Sequence, residues 1–432
     1  MAVEADRRGG RGTFASLSST NYQLFFWGQL VSVCGTWMQT VAQSFLVLQL
    51  TGSGTVLGLA IAARFVPIFL FGPWSGLVAD RLDKRRVLYV TQSMSGVLAL
   101  ALGLLTGTHT IRIWMVFVLA LGLGFVNVFD NPARQSLIPE LVPPAQLRNA
   151  VTLNSVTVNL ARIFGAAAGG TIASVLGLAL CFDLNAASFG AVVISLALMS
   201  SGTMFGARPQ TREPGQIRAG LRYVRTEPEL LIPLLMIAVI GALAWEFPIS
   251  LPLLARSAFH GGAGTYGAMT AVMGAGAVVG GLITASRNRV RRRGLAIAAV
   301  GWGVAITAAA LAPDLPLEYA ALLFVGYGSI SFNSLAKTVL QLSATPGMRG
   351  RVMSLWSVAW LGSTPVGGPL IGWIGQEFGG RWSLIVGGLP TLVVGIATYP
   401  VLARVDARRA RARQDEGAGA GPAAGEPEPG TA

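Results

Sequence analysis

Apolar residues in this chain are gathered into long runs, most close to about 20 residues, separated by short polar hinges. The runs are Leu24–Leu48, Gly54–Ala79, Val87–Thr106, Ile113–Phe129, Asn149–Leu176 and Leu184–Met204. After a polar interval come Leu230–Leu254, Tyr266–Ala285, Gly294–Leu311, Leu317–Ala336, Val352–Ile374 and Trp382–Leu402. Runs of this length are too long for buried strands and match helices that cross a bilayer. The pattern therefore predicts an all-α membrane protein with twelve transmembrane helices in two six-helix bundles. Its expected parts are a cytoplasmic tail (1–21), an N-terminal bundle (22–204), a cytoplasmic linker (205–229), a C-terminal bundle (230–404) and a disordered cytoplasmic tail (405–432). Within the linker, Ile217, Leu221 and Val224 recur at helical spacing beside a second stripe of Arg218, Arg222 and Arg225. That pattern predicts an amphipathic helix on the inner leaflet, its arginines near anionic lipid headgroups.

Composition agrees with the pattern. Of 432 residues, 53% are hydrophobic and 12% charged, whereas soluble domains carry roughly a quarter charged residues. The net charge of +13 does not indicate nucleic acid, because the arginines lie between apolar runs rather than on one soluble face. Their placement sets an orientation instead. Of 32 Lys and Arg, 27 fall on the side that holds both termini and three (Arg112, Arg256 and Arg381) on the other, with Arg64 and Arg162 inside runs. The positive-inside rule then puts both termini in the cytoplasm, in a cell inner membrane. No cleavable leader is expected, since the Arg-rich start lacks a short apolar stretch with a small-residue cleavage site. Cys34 and Cys181 lie in or beside apolar runs, and His109 and His260 fall in short external loops. They suggest neither a disulfide framework nor a metal site, and no cofactor is expected.

The two halves echo each other. Gly76 precedes the hinge Asp80–Arg86, and Gly280–Gly281 precedes the hinge Arg287–Arg293 about half a chain later. Matching hinges of this kind suggest duplicated six-helix units. The first hinge, from Gly76 through Asp80 and Arg81 to Lys84, Arg85 and Arg86, resembles the loop signature of the major facilitator superfamily. Asp83 stands where that signature has glycine. Further likeness lies in Asp130-Asn131-Pro132-Ala133-Arg134-Gln135, in Asn149–Arg162, in Met348–Ser354 and in Gly362–Pro365. Together these resemble the drug- and siderophore-exporting branch, which holds enterobactin exporters and macrolide efflux proteins. The resemblance implies a central cavity ringed by helices 1, 4, 7 and 10. It also implies a conformational latch of Gly76, Asp80, Arg81, Arg85 and Arg134, in which Asp80 meets the positive N-terminal end of helix 11. Arg162 precedes Gly165, Gly169 and Gly170, a stretch similar to the superfamily's helix 5 antiporter motif, with Ala166 in place of proline. Those glycines are expected to serve close helix packing.

Charged groups within a bilayer are costly and are functional candidates by default. Glu246, in Trp245-Glu246-Phe247-Pro248, is the acid expected near mid-depth and the candidate for proton coupling. The alternative is a permanently ionised Glu246 that pairs with Arg162 or Arg64 and fixes packing. Polar faces occur on helix 1 (Ser32, Thr36, Gln39, Gln43), helix 5 (Thr152, Ser155, Asn159, Arg162) and helix 10 (Asn333, Lys337). Such faces must turn inward in lipid. With Arg64 and Trp245 they form the expected cavity set: Gln39, Gln43, Arg64, Asn159, Arg162, Trp245 and Asn333.

The expected activity is secondary active transport by a monomer: proton-coupled export of small amphipathic molecules such as drugs, siderophores or secondary metabolites. An importer or a lipid flippase of the same fold is the alternative. A membrane enzyme fits less well, since no run clusters His, Cys or carboxylates. No Walker A sequence occurs, and Gly274 and Gly276 fall inside a predicted span. The basic asymmetry predicts that cysteines placed at Arg85 and Arg291 are shielded from an impermeant thiol reagent in intact cells, while those at Arg112 and Arg256 are labelled. Labelling in the reverse pattern overturns the orientation.

Overall fold

The structure, a computed structural model, describes residues 14–200, 205, 216–285 and 291–419, without the side chains of 73–81, 216–219, 285, 346, 361, 410 and 412–419. The side chains of Gly76, Asp80 and Arg81 thus lie outside the described residues, as do residues 1–13, most of the second basic hinge and residues 420–432. The N-terminal half is built from α1 (Thr20–Thr51), α2 (Gly54–Arg81), α3 (Lys84–Gly107), α4 (Ile113–Leu141), α5 (Leu147–Val175) and α6 (Leu178–Leu198). A connecting helix, α7 (Gln216–Thr226), leads to α8 (Pro228–Ala244), α9 (Phe247–Ser257), α10 (Ala263–Ala285), α11 (Arg292–Leu311) and α12 (Leu315–Ser343). The chain ends in α13 (Arg349–Leu361), α14 (Thr364–Glu377) and α15 (Gly380–Gly419). Helix is the outcome because lipid offers the backbone no hydrogen-bond partners. With α8–α9 and α13–α14 each counted as one pass, the described residues make twelve passes along the bundle, eleven of them long and apolar enough to cross a membrane, and the described chain starts and ends at the same end of the bundle.

Polar side chains set the boundaries. Ser19 caps α1 by accepting from the Tyr22 amide at 3.4 Å, and Gly52 ends it in a left-handed conformation, φ 66°. Asp83 accepts from the amides of Arg85 and Arg86 at 2.9 and 3.2 Å. The residue that departs from the family signature therefore begins α3. Two of the connections that reverse the chain opposite the termini, at His109 (φ 57°) and His260 (φ 50°), use backbone conformations uncommon for a non-glycine residue.

Two passes expected as continuous helices are broken. The seventh breaks at Trp245–Glu246, and the eleventh at Gly362–Ser363. In each, a proline stands in the first turn of the second piece, Pro248 in α9 and Pro365 in α14. Proline removes an amide donor and clashes with the preceding turn, so the helix restarts there. The expected disorder from residue 405 is also corrected, because α15 continues to Gly419. Asp406 accepts from the amides of Arg292 and Arg293, both at 3.1 Å, and so caps α11. Glu229 binds Arg292 at 3.0 Å and Arg409 at 2.6 Å. These partners lie more than a hundred residues away along the chain, and they give the start of the tail something to hold.

The halves meet at the end opposite the termini. Helix α2 packs on α14 where Gly54 faces Gly372 and Gly58 faces Gly368; α5 packs on α10 where Gly170 faces Gly267. A Cβ on Gly267 would stand 2.6 Å from the Ala166 carbonyl and 2.6 Å from the Gly170 Cα. Only a residue without a side chain allows this approach. Polar ties reinforce it. Gln376 accepts from the Ser53 hydroxyl, and from Thr55 at 3.1 Å through its hydroxyl and 3.3 Å through its amide. Arg256 donates to the Leu48 carbonyl at 2.9 Å, and Phe45 stacks on Tyr266 at 6.1 Å. Replacing Gly267 by leucine should cost this contact about 1–3 kcal/mol by overpacking while each half still folds and inserts. A cysteine at Ser174 should then react faster with an impermeant maleimide from the side opposite the termini. Unchanged reactivity contradicts the assignment of this contact as the seal.

Candidate functional site

A cavity of about 560 Å³ lies within the N-terminal half and ends against Pro248 of α9. It starts beside Asp130 and Arg134, on the part of α4 nearer the termini, and reaches Ser44, Val47 and Leu57 toward the sealed end. There the Ser44 hydroxyl donates to the Pro248 carbonyl at 3.3 Å and closes the floor. The polar face predicted for helix 1 faces this space, through Ser32, Thr36, Gln39 and Gln43, and Thr40 joins it. Gln39 is fixed by its neighbours: its carbonyl accepts from Asn185 at 2.6 Å, and its amide donates to Gln43 at 3.4 Å.

Two arginines and one acid carry the charge in the lining. Asp130, 2% exposed, spends both oxygens locally. It accepts from Thr91 at 2.9 Å and Gln92 at 2.6 Å, and pairs with Arg134 one turn along α4. Arg64 also lines the cavity. Its backbone is pinned where α2 crosses α4, since a Cβ on Gly124 would strike the Arg64 carbonyl. No hydrogen bond or ion pair involves its guanidinium among the described residues.

Of the expected cavity residues, Gln39, Gln43 and Arg64 line this space, while Asn159, Arg162, Trp245 and Asn333 are not among its walls. Arg162 lies over the Trp37 ring at 5.9 Å and donates to Asn159 at 3.3 Å. Trp245 packs edge-on against Trp360 at 4.0 Å and Trp302 at 5.0 Å, and the Asn333 carbonyl is buried without a hydrogen bond. Arg85 donates to the Ala197 carbonyl at 3.2 Å and lies over Tyr89 at 5.9 Å. Gly165 and Gly169 sit against the α1 backbone at Cys34 and Met38, whereas Gly170 faces the other half.

Glu246 is 3% exposed and occupies the break between α8 and α9. Its carboxyl points at the first turns of α14. Thr364 lies beside it, and Oε2 is 3.8 Å from the place of a Gly368 Cβ. Oε1 is buried without a hydrogen bond. The expected pairing with Arg162 or Arg64 is absent among the described residues, because both arginines belong to the other half and make other contacts or none. Burial without a cation penalises the carboxylate charge, and the positive end of α14 offsets part of that penalty. Glu246 also has company. Glu318, in the first turn of α12, is fully buried with neither oxygen hydrogen-bonded among the described residues, and the charge of Arg381 acts on it. Its position near the start of an apolar run, Leu317–Ala336, gives no signal in the sequence that it is buried. Asn127, Asn185, Phe65 and Phe189 also line the cavity; their chemistry is common in apolar runs, so no spacing singled them out.

Among the described residues, no group of His, Cys, Asp and Glu could hold a metal ion.

Comparison with known proteins fits this arrangement. A family profile described as "Transmembrane secretion effector" matches residues 11–416. Macrolide efflux protein A of Streptococcus pyogenes is 25% identical, over 87% of this chain and 95% of its own. The enterobactin exporter of Citrobacter koseri is 24% identical, over 87% and 90% respectively. Among solved structures, a bacterial homolog of the human lysosomal transporter Spinster, inward-facing and unoccupied, superposes with a TM-score of 0.70. It shares 16% identity and covers 90% of this chain and 97% of its own; that likeness concerns the fold. With twelve passes in two halves and a profile matched over nearly its whole length, the chain belongs to the transmembrane secretion effector family of major facilitator superfamily transporters.

Proposed function

We propose that this transporter exports small amphipathic molecules by alternating access, driven by protons. One observation carries the reading. A cavity with polar and apolar walls runs from beside Asp130 and Arg134, on the part of α4 nearer the termini, to a floor where the halves are bound together. With the termini in the cytoplasm, as the basic residues imply, this is the state that loads from inside. Release outward needs the glycine contacts of α2 with α14 and α5 with α10 to part while the opposite end closes. The names of the macrolide efflux and enterobactin exporter relatives support the outward direction.

Glu246 is the group we assign to coupling. It lies where two broken passes face each other, beside the α2–α14 contact that must open. Half-helix ends of this kind bind ions and charged groups in other transporters. A proton on Glu246 removes the cost of a buried charge and favours the sealed arrangement. Its loss favours parting of α2 and α14 and entry of water.

Glu246→Gln, which copies the protonated form and cannot release a proton, is the test. Gradient-driven efflux from reconstituted vesicles should fall by roughly tenfold or more, while downhill exchange of substrate persists. Concentrative efflux at the normal rate and pH dependence would make Glu246 a packing residue and remove the proton from the scheme.

A further inference from the structure

The cavity does not balance its charge. Asp130 is the acid in the lining, and both its oxygens are already occupied by Thr91, Gln92 and Arg134. Arg134 has its charge balanced by that same pair, although its Nε is buried with no acceptor among the described residues. Arg64 therefore remains as a cation with no counter-charge and no hydrogen-bond acceptor among the described residues. A guanidinium within a membrane bundle is expensive and is normally paired or set against a pathway. Here it faces a cavity, and the glycine-tight crossing of α2 and α4 holds its backbone.

Neutral donors at this cavity are unspent as well. Among the described residues the Gln43 side-chain amide nitrogen donates to no acceptor, although its carbonyl accepts from Gln39, and the Asn127 side chain has no hydrogen bond. Both residues line the same space as Arg64. Apolar surface completes it, with Trp37 and Phe65 in the wall. Unused donors around one unpaired cation form a recognition set for a group that only accepts, and a guanidinium prefers a planar, bidentate acceptor such as a carboxylate. The volume of about 560 Å³ suits a molecule of drug size.

We infer that the cavity binds an amphipathic organic anion, with its carboxylate or equivalent acidic group on Arg64 and its ring system against Trp37 and Phe65. This rests on the transport reading above and names the substrate class. It does not depend on the direction of transport or on proton coupling, so binding to purified protein tests it separately.

Fluorescence anisotropy of fluorescein and of ethidium with the detergent-purified full chain supplies the measurement. The wild type should hold the anion at least about tenfold more tightly than the cation. Arg64→Gln should erase that preference, with a loss for fluorescein of about tenfold to a hundredfold, and Arg64→Lys should retain part of it. A comparison without variants guards against misfolding: 1-naphthoic acid should displace bound fluorescein at least about tenfold better than its methyl ester or inorganic phosphate. The inference is overturned if the wild type shows no anion preference, whether it favours the cation, treats both alike or holds neither. It is also overturned if Arg64→Gln keeps the preference, or if ester or phosphate competes as well as the acid. Binding as expected in a protein whose efflux ignores the proton gradient would leave this inference standing and remove the coupling scheme.

Discussion

Backbone-to-backbone contact at glycines between the two halves is the constraint on which the remaining architecture rests. Lipid provides no hydrophobic drive for helices to associate, so close approach, dispersion and a few hydrogen bonds must do it. At Gly54–Gly372, Gly58–Gly368 and Gly170–Gly267 the helices come too near to admit a Cβ. A contact of this kind is formed or lost as a unit, because small separations forfeit much of the dispersion energy. Two halves joined at one end by such contacts can rock without unfolding. The cavity of the N-terminal half, with its floor at Pro248, follows from where the contacts lie.

The broken seventh and eleventh passes place chemistry beside that seam. A continuous helix would bury its own amides. The restarts at Phe247 and Thr364 instead leave helix ends inside the bundle, next to the Glu246 carboxyl. The same device sets the acid apart from the cavity lining. In the proposed scheme Arg64 reads the cavity, Glu246 reads the seam, and coupling between them travels through α2, which carries Arg64 on one turn and Gly58 at the seam. In this account substrate and proton need not compete for one group. They bias the same two-state contact from its two sides.

Much of the fold was legible because spanning helices announce themselves as apolar runs, and ten of the twelve passes are continuous helices among the described residues. The breaks were less legible. Trp-Glu-Phe-Pro and Gly-Ser-Thr-Pro interrupt an apolar run too briefly to register as hinges, and prolines are common in membrane helices. Candidate residues could be named from cost alone, since charge in lipid is rare, but their partners could not. Nothing in the spacing says that Arg162 lies over Trp37, that Glu246 faces α14, or that Arg64 stands free. Those facts depend on helix rotation. The tail beyond residue 405 shows the same limit, because Asp406 accepts from the first amides of a helix that starts more than a hundred residues earlier.

The most direct test of the rocking account is to lock the seam. Replacing Ser174 and Gly264 by cysteine, in a chain where Cys34 and Cys181 are serine, places a Cβ on Gly264 at 3.7 Å from the Cβ of residue 174, within the usual disulfide range of about 3.5–4.5 Å. Oxidised protein should bind ligand yet complete no transport cycle, and reduction should restore turnover. Full turnover with the disulfide intact would contradict the claim that these contacts open and close in every cycle.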